Sequence, residues 1–278
     1  MKYCVTGADG YLGRGIVLKL LDNGAEVVAS GFNLEQVDNR AKRVEGDIFS
    51  MDDPCAELGC PDVLVHLAWR NGFNHGASTH LEDLPKHCRF IEAFAIGSAK
   101  RICVMGSMHE VGYHEGPVSA STPCFPMSRY GIAKNALRDF ALLTSREQDV
   151  DCLWMRGYYI VDGRPEGCSI FSKIAQDSIA GKSEFPFTSG KNLCDFLDYE
   201  DFCNMAVDAV MHVGLTGIVN ICSGKPESLG SRVERFIEDE GFDIELRYGA
   251  YPDRPYDSPG IWGDPEGMDR MPASRKRR

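Results

Sequence analysis

Short runs of hydrophobic residues recur through the first half of the chain, at residues 3–7, 25–30, 62–68 and 101–107. Each run is nearly continuous rather than alternating with polar residues, and the segments between the runs are long enough to hold a helix. Strands that are apolar on both faces are typical of parallel sheets covered by helices on either side. The pattern therefore predicts an α/β fold, a Rossmann-type doubly wound parallel sheet.

Two segments have the spacing of amphipathic helices. Residues 13–24 carry apolar side chains at positions 16, 17, 20 and 21 and end in Asn-Gly, a common helix stop. Residues 135–147 have a similar pattern. Both segments follow predicted strands or loops, as the crossovers of a parallel sheet require.

A glycine-rich loop joins the first predicted strand to the first predicted helix, in the sequence "VTGADGYLGRG". Gly7 permits a sharp turn, Gly10 lets backbone N–H groups approach a pyrophosphate, and Gly13 lets the helix lie close to the strand. The N-terminus of the helix adds partial positive charge and unpaired N–H donors. This loop, including Tyr11 and Leu12, is therefore predicted to bind a dinucleotide.

The end of the second strand distinguishes the two nicotinamide dinucleotides. A carboxylate there would bind the hydroxyls of the adenine ribose and repel a 2'-phosphate. The sequence at this point is "VVASGFN", in which Ser30, Gly31 and Asn33 are polar or small and none is acidic. NADP(H) is therefore favoured and NAD(H) is the alternative, with Arg14 and Arg40 as candidates for binding the phosphate.

The adenine ring is expected near the sequence "GDI", which follows the next apolar stretch. Asp47 could accept a hydrogen bond from the adenine amino group, and Ile48 could cover the ring.

The character of the sequence changes beyond about residue 165. Glycine and proline become frequent, as in "DGRPEG" and "YPDRPYDSPGIWGDPEG", so irregular connections replace regular βα repeats. We therefore expect a dinucleotide-binding domain at residues 1–165 and a smaller, mainly substrate-binding region at residues 166–278. The chain is expected to return to the first domain around residues 191–223.

Charge and cysteine content narrow the possible partners. The net charge of −11 argues against nucleic acid, and the one basic run, at residues 275–278, is interpreted as a solvated tail. Eleven cysteines without C-x-x-C spacing indicate neither a disulfide framework nor a zinc ribbon, which fits a reducing cytoplasm. Met1 leads directly into an apolar strand, and no apolar run approaches the roughly 18 residues of a membrane span. A cytoplasmic protein without membrane contact is expected.

Tyr130 and Lys134, in "SRYGIAKNALRDF", are four residues apart, which places them on one face of a predicted helix. A neighbouring ammonium lowers the pKa of a tyrosine by stabilising the phenolate, so such a pair can exchange a proton with a carbonyl oxygen. Ser107 ends a predicted parallel strand and should lie at the same sheet edge as the glycine loop. The three residues are the candidate catalytic group.

With these motifs the chain resembles the extended short-chain dehydrogenase/reductase family, in its branch of nucleotide-sugar epimerases, dehydratases and reductases. The resemblance covers almost the whole chain, through "TGADGYLG", "HLAW", Ser107, "YGIAK", "MRGYYIVDG", "DFLDYEDF", "NICSGKP" and "RPYDSPGIWGD".

The resemblance implies a role for each residue of the site. Ser107 would bind the substrate carbonyl, Tyr130 would be the acid/base, and Lys134 would bind the nicotinamide ribose and tune Tyr130. Leu67 and Ala68, in "HLAW", would line the cofactor site. Arg254 would bind the diphosphate of a nucleotide sugar, because a guanidinium can bond two phosphate oxygens. The family also implies a homodimer built through a four-helix interface.

Three reactions are compatible with this resemblance. A dehydratase would carry an Asp-Glu pair directly after the serine, where this chain has Met108 and His109; a shift of one residue would bring Glu110 into that position. A 4-epimerase would retain NAD and carry the acid at the second strand. The chain is therefore interpreted as an NADPH-dependent reductase of a nucleotide-linked 4-keto-6-deoxy sugar, with epimerase or dehydratase as alternatives. A non-catalytic NADP-binding sensor is a further alternative.

The segment "VMGSMHEVGYHEG" superficially resembles a zinc-hydrolase motif. His109 and His114 are five residues apart, which is about 140° around a helix, so they cannot share one metal as i, i+4 ligands do. No metal is predicted, and His109 is expected to touch the sugar.

Four other histidines are assigned structural or surface positions. His66 is interpreted as a buried structural histidine, whereas His75, His80 and His87 are interpreted as loop or helix-surface residues.

Overall fold

The computed structural model describes residues 1–97, 99–253 and 257–266. Its strands, in chain order, are β1 (Lys2–Thr6), β2 (Glu26–Gly31), β3 (Lys42–Glu45), β4 (Val63–His66), β5 (Arg101–Ser107), β6 (Gly116–Val118), β7 (Asp151–Gly157), β8 (Tyr159–Val161), β9 (Glu184–Pro186), β10 (Leu193–Asp198), β11 (Gly217–Ile221), β12 (Pro226–Ser228), β13 (Glu245–Arg247) and β14 (Gly260–Gly263).

The α-helices are α1 (Tyr11–Asp22), α2 (Pro54–Glu57), α3 (Thr79–Ile96), α4 (Arg129–Glu147), α5 (Ile170–Ile179), α6 (Tyr199–Met211) and α7 (Leu229–Asp239). Short 3₁₀ helices occupy Ile48–Ser50 and Met108–Glu110. No helix among these described residues is both long and apolar enough to span a membrane.

Seven parallel strands form the central sheet in the order β11-β7-β5-β4-β1-β2-β3. The strand order reverses next to β1, since β2 and β3 continue to one side while β4, β5, β7 and β11 continue to the other. Adjacent crossovers then leave the sheet on opposite faces, which opens a crevice at its carboxyl edge. The predicted doubly wound parallel sheet is confirmed, and the four predicted apolar runs become β1, β2, β4 and β5.

Helices cover both faces of this sheet, which explains the near-continuous apolar runs. Alternate strand residues serve opposite faces: Tyr3 and Val5 pack with α1 and α6, whereas Cys4 packs with α3 and α4. Every residue of β4 and β5 is buried. Strands that contribute to two cores carry mainly apolar side chains, and Ser107 lies at the carboxyl edge of β5.

The remaining strands pair outside the central sheet, and they include β6 and β8 from the first 165 residues. β12, β10, β14 and β6 form a smaller sheet, with β8 joined to β10, and β13 pairs with β9. Its core includes Phe171, Phe187 and Phe236, packed between α5, α7 and these strands. The chain returns to the central sheet through α6 and β11. The division at residue 165 and the role of the later region stay predictions.

The start of α1 lies in close contact with the glycine loop. A Cβ on Gly13 would overlap the carbonyl oxygen of Gly7 and would lie 2.6 Å from the Cα of Ala8. We expect Gly13→Ala to lower the free energy of unfolding by about 1–3 kcal/mol through overpacking, although glycine-to-alanine changes inside helices ordinarily stabilise.

Thermal unfolding would measure the effect. Gly72→Ala is the matched control, because a Cβ at Gly72 meets open space. An unchanged midpoint for Gly13→Ala would show that α1 does not depend on this close approach.

Candidate active site

The glycine loop lies at the carboxyl edge of the sheet, between β1 and α1. Gly7 has a φ of 65°, and a Cβ there would lie 2.8 Å from backbone atoms of Ala68, so only glycine fits without strain. Gly10 is the N-cap of α1 and makes no side-chain capping bond. The first N–H groups of α1 are therefore available to an anion such as a pyrophosphate.

The turn after β4 packs directly against this loop. Leu67 donates its N–H to the carbonyl oxygen of Thr6 at 3.3 Å, and the N–H of Ala68 lies 3.4 Å from Thr6 Oγ1. The structure thus brings together all the residues that the sequence assigned to the pyrophosphate side of a dinucleotide: Gly7, Gly10, Tyr11, Leu12, Gly13, Leu67 and Ala68. Their contacts with a dinucleotide stay predictions.

Arg164 is a cation beside the glycine loop that sequence reasoning missed. Its guanidinium lies 4.9 Å from the ring centroid of Tyr11 and 4.2 Å from that of Tyr199, and it is paired with Asp162 at 2.6 Å. Tyr199 also donates to the carbonyl oxygen of Tyr11 at 2.6 Å. The only local signal was an arginine directly after the motif "VDG".

The two residues predicted to contact adenine also make contacts within the protein, and their role in binding adenine stays a prediction. Asp47 caps the 3₁₀ helix Ile48–Ser50 by accepting the N–H of Phe49 at 3.0 Å. Ile48 is 6% exposed and belongs to the core beneath the sheet, so it offers little surface to a ring.

The end of β2 carries no acid of its own, as the sequence indicated, but a carboxylate from another segment lies there. Asp9, from the glycine loop, reaches this point and accepts the N–H groups of Phe32 and Asn33. Of the two arginines proposed for a phosphate, Arg40 is paired with Asp22 and Asp38, both at 2.8 Å. Arg14 donates to the side chain of Gln36.

The candidate catalytic residues meet at the ends of β5 and α4. Ser107 is the last residue of β5, and its side chain is hydrogen-bonded to the hydroxyl of Tyr130, in the first turn of α4. Lys134 follows one turn later on the same helix. Its Nζ donates to the carbonyl oxygen of Met105 at 2.8 Å and lies 6.0 Å from the ring centroid of Tyr130. The predicted grouping of the three residues is what the geometry shows.

Burial changes the acidity of this pair in opposite directions. Removal from water raises the pKa of Tyr130 to about 12, against the smaller effect of the hydrogen bond from Ser107. Burial lowers the pKa of Lys134 to about 7, although Glu110 opposes the change. The expectation that the ammonium lowers the pKa of Tyr130 is therefore wrong for this state, because desolvation is the larger effect. Tyr130 is protonated at neutral pH and can act as a proton donor.

An aromatic cluster surrounds Tyr130. The ring of His75 is stacked on that of Tyr130 at 4.9 Å with an interplanar angle of 9°, and the carbonyl oxygen of His75 accepts the N–H of Tyr130. His109 lies 4.2 Å from His75, centroid to centroid. Burial, followed by His75, lowers the pKa of His109 to about 4, so the imidazole is neutral at physiological pH. His109 thus lies in the site, while its contact with a sugar stays a prediction.

A buried chain of side chains runs behind the site. His66 lies between Thr6 Oγ1 and His87 Nδ1, both at 2.8 Å, which confirms its structural role. Trp69 stacks on His87 and donates to His80 at 3.0 Å. His80 and His87 are 2% and 3% exposed, so their interpretation as surface residues is wrong. Both lie on α3, whose inner face approaches the site more closely than the sequence pattern indicated.

Trp69 also contacts the candidate catalytic lysine. The Nζ of Lys134 is 3.8 Å from the centroid of the Trp69 ring, a cation–π distance. Trp69 therefore helps to hold Lys134 in the cofactor crevice.

Glu110 lies directly beneath Ser107. Its carboxylate accepts the N–H of Ser107 at 2.6 Å and the indole N–H of Trp154 at 3.0 Å, and it lies 3.6 Å from both Arg138 and Arg156. Because Glu110 is fully buried in these contacts, it cannot reach a substrate beside Ser107. Its contacts hold the end of β5 against β7 and α4.

Two further expectations concern the rest of the site. Arg254, the predicted diphosphate ligand, lies outside the described residues. Within the described ranges, no group of three His, Cys, Asp or Glu side chains could hold a metal ion.

The family model of the NAD dependent epimerase/dehydratase family matches residues 3–222. The chain belongs to this family. The resemblance to extended short-chain dehydrogenase/reductases is thereby confirmed, as is the prediction of an NAD(P)-dependent enzyme of that type. A nicotinamide dinucleotide fits the crevice, since the uncapped N-terminus of α1 and the close-packed glycines provide the surface that its pyrophosphate requires.

Individual relatives extend over most of the chain. Over 272 residues it is 40% identical to the dTDP-6-deoxy-L-talose 4-dehydrogenase (NAD(+)) of Aggregatibacter actinomycetemcomitans, covering 95% of this chain and 99% of the relative. It is 25% identical over 271 residues to the dTDP-6-deoxy-L-talose 4-dehydrogenase (NAD(P)(+)) of Kitasatospora kifunensis, covering 91% and 83%.

Among solved structures, the chain is similar to the UDP-N-acetylglucosamine 4-epimerase of Methanobrevibacter ruminantium M1 in complex with UDP-N-acetylmuramic acid. The TM-score is 0.84 at 18% identity, covering 97% of this chain and 91% of that one. At this identity the similarity shows a shared fold.

The lowered pKa of Lys134 makes the free energy of unfolding of this protein depend on pH. Because burial lowers this pKa from 10.5 to about 7, the unfolded chain binds more protons than the folded one between these values. The contribution of Lys134 to stability therefore rises with pH across that interval. Relative to Lys134→Met, the wild type should gain about 1–3 kcal/mol of unfolding free energy between pH 7 and pH 9.

Denaturant titrations of the cofactor-free protein at the two pH values would measure this difference. Lys173→Met, at an exposed position of α5, is the control and should track the wild type. A pH profile of Lys134→Met parallel to that of the wild type would contradict the assigned pKa.

Proposed function

We propose that this protein is an NAD(P)H-dependent reductase of the 4-keto group of a nucleotide-linked 4-keto-6-deoxyhexose, of the dTDP-4-keto-6-deoxyglucose type. The observation that carries the proposal is the hydrogen bond between Tyr130 and Ser107, with Lys134 one turn later on α4. The 40% identity to the dTDP-6-deoxy-L-talose 4-dehydrogenase supports the substrate class. Oxidation of a 4-hydroxyl is the reverse of reduction of a 4-keto group, so one site serves both directions.

The proposed mechanism places two hydroxyl donors on one carbonyl oxygen. Ser107 hydrogen-bonds this oxygen and orients it, while Tyr130, whose pKa of about 12 keeps it protonated, transfers its proton to the oxygen. When bound, the nicotinamide supplies the hydride to the carbonyl carbon. Lys134 binds the nicotinamide ribose, and in its ammonium form it stabilises the negative charge that develops on the Tyr130 oxygen.

The aromatic cluster supports this chemistry by limiting water near Tyr130. His75 covers one face of the phenol ring at 4.9 Å, and His109 closes the adjacent side. A drier environment strengthens the hydrogen bonds that Ser107 and Tyr130 make to a developing oxyanion.

Two alternative functions are less well supported. A dehydratase needs a carboxylate beside the reacting carbon, and Glu110 is instead buried against Trp154 and Arg156. A non-catalytic sensor has no use for an intact group of Ser107, Tyr130 and Lys134. A 4-epimerase uses the same three residues, so it is distinguished by experiment.

The structure weakens the argument by which the sequence favoured NADP(H) over NAD(H). NADP(H) was favoured because β2 lacks an acid, but Asp9 places a carboxylate at that strand end. The names of the two relatives specify NAD(+) and NAD(P)(+) respectively, which supports a nicotinamide dinucleotide and leaves NAD(H) as the better supported form.

We also propose that the protein forms a homodimer through α3 and α4. Leu81 on α3 and Ile132 and Leu143 on α4 are large apolar residues that are exposed to solvent in the single chain. Burial of such residues is what a helical dimer interface would provide.

Reduction of a dTDP-linked 4-keto-6-deoxyhexose, followed as consumption of NADH or NADPH, tests the proposed activity. Tyr130→Phe should lower kcat by about 10²–10⁴-fold, because it removes the proton donor, while cofactor binding is retained. If the protein instead converts a 4-hydroxy nucleotide sugar into its epimer without net consumption of cofactor, its function is that of an epimerase and the reductase proposal is wrong. Near-normal turnover of Tyr130→Phe would rule out Tyr130 as the acid.

His109 is proposed to bind the sugar through its neutral imidazole. His109→Gln should raise KM for the nucleotide sugar by about 3–10-fold, the cost of one weakened hydrogen bond, with the dissociation constant for the cofactor unchanged. His114→Gln is the matched control, since His114 is a nearby histidine that contacts the carbonyl oxygen of Pro117. Equal KM values for the two variants would show that His109 does not bind the sugar.

A further inference from the structure

Asp9 belongs to the glycine loop by sequence, but its carboxylate lies at the end of β2. Oδ2 accepts the N–H of Phe32 at 2.9 Å and the N–H of Asn33 at 3.1 Å. These are the first two N–H groups after β2. An anionic ligand bound at this strand end would use the same donors, so Asp9 already occupies them.

The Asp9 carboxylate occupies the space beside Gly31, the last residue of β2. A Cβ added to Gly31 would lie 2.6 Å from the carboxyl carbon of Asp9 and would overlap its Oδ1. Any larger residue at position 31 would displace the Asp9 carboxylate. The two positions therefore compete for one space, and here the loop residue fills it.

Two further carboxylates, those of Glu35 and Glu45, lie near Asp9. A cleft of about 220 Å³ is lined by Asp9, Asn33, Glu35 and Gln36. The carboxylate of Glu45 accepts the N–H of Leu34 at 3.2 Å, immediately beyond Asn33.

One cation approaches the cleft from α1. Arg14 donates to Gln36, while its Nε is buried without a hydrogen-bond partner among the described residues. The cleft itself is lined by two carboxylates, those of Asp9 and Glu35. A phosphate in the cleft would gain Arg14 but would contact the Asp9 carboxylate and find both strand-end N–H groups taken.

We infer that Asp9 is the residue that selects the cofactor, binding the adenine ribose hydroxyls in place of an acid on β2 and excluding a 2'-phosphate. The protein therefore binds NAD(H) in preference to NADP(H). The inference rests on the proposed nicotinamide dinucleotide and adds the residue that discriminates between its two forms. A carboxylate accepts hydrogen bonds from ribose hydroxyls, whereas a phosphate dianion beside it is repelled.

Direct binding titrations of the purified protein with NADH and with NADPH test the inference without any sugar. The wild type should bind NADH at least roughly tenfold more tightly, the scale expected for juxtaposed like charges. Asp9→Asn keeps an acceptor for the two N–H groups and removes the charge, so it should reduce or invert the preference. Glu35→Gln removes a charge from the same cleft without touching those N–H groups, and should change the ratio by less than roughly threefold.

The binding titrations and the activity assay test the role of Asp9 and the proposed function separately. Equal affinities in the wild type, a preference for NADPH, or an Asp9→Asn ratio equal to that of the wild type would overturn the role of Asp9. Asp9→Ser provides a second neutral variant with an acceptor, and thermal unfolding checks that both variants fold. If the preference for NADH is found but no 4-keto sugar is reduced, only the proposed function fails.

Discussion

The buried carboxylate of Glu110 fixes the geometry on which the candidate site depends. It accepts the N–H of Ser107 and the indole N–H of Trp154, and it lies close to Arg138 and Arg156. These partners belong to β5, β7 and α4, so one group connects β7 to the strand and the helix that carry the candidate catalytic residues. Loss of the carboxylate would leave the guanidinium of Arg156 buried without this counter-charge, and breaking a buried ion pair on one side is strongly destabilising.

Burial also determines the pKa values of the two titratable residues of the site. Tyr130 and Lys134 are each removed from water, and this favours the neutral form of each side chain over its charged form. The phenol is therefore held protonated, and the amine, with a pKa of about 7, is divided between its charged and neutral forms near neutral pH.

Histidines and aromatic rings complete the surroundings of this pair. His66, His87 and Trp69 form a buried layer behind Lys134, while His75 and His109 cover Tyr130. All but His109 come from β4, α3 and the segment between them. The site is thus built by three crossovers of the sheet rather than by one motif.

The sequence by itself determined the sheet, the glycine loop and the group of Ser107, Tyr130 and Lys134. Apolar runs on two-sided strands and an i, i+4 spacing are local patterns, and they survive folding unchanged because they depend on neighbours within a few residues. Only the tertiary structure decided the acidity of Tyr130, the burial of His80 and the position of the Asp9 carboxylate. Desolvation depends on what packs over a group, and a side chain from one loop can fill the space left by a glycine on another strand. Neither effect leaves a signal in the spacing of residues along the chain.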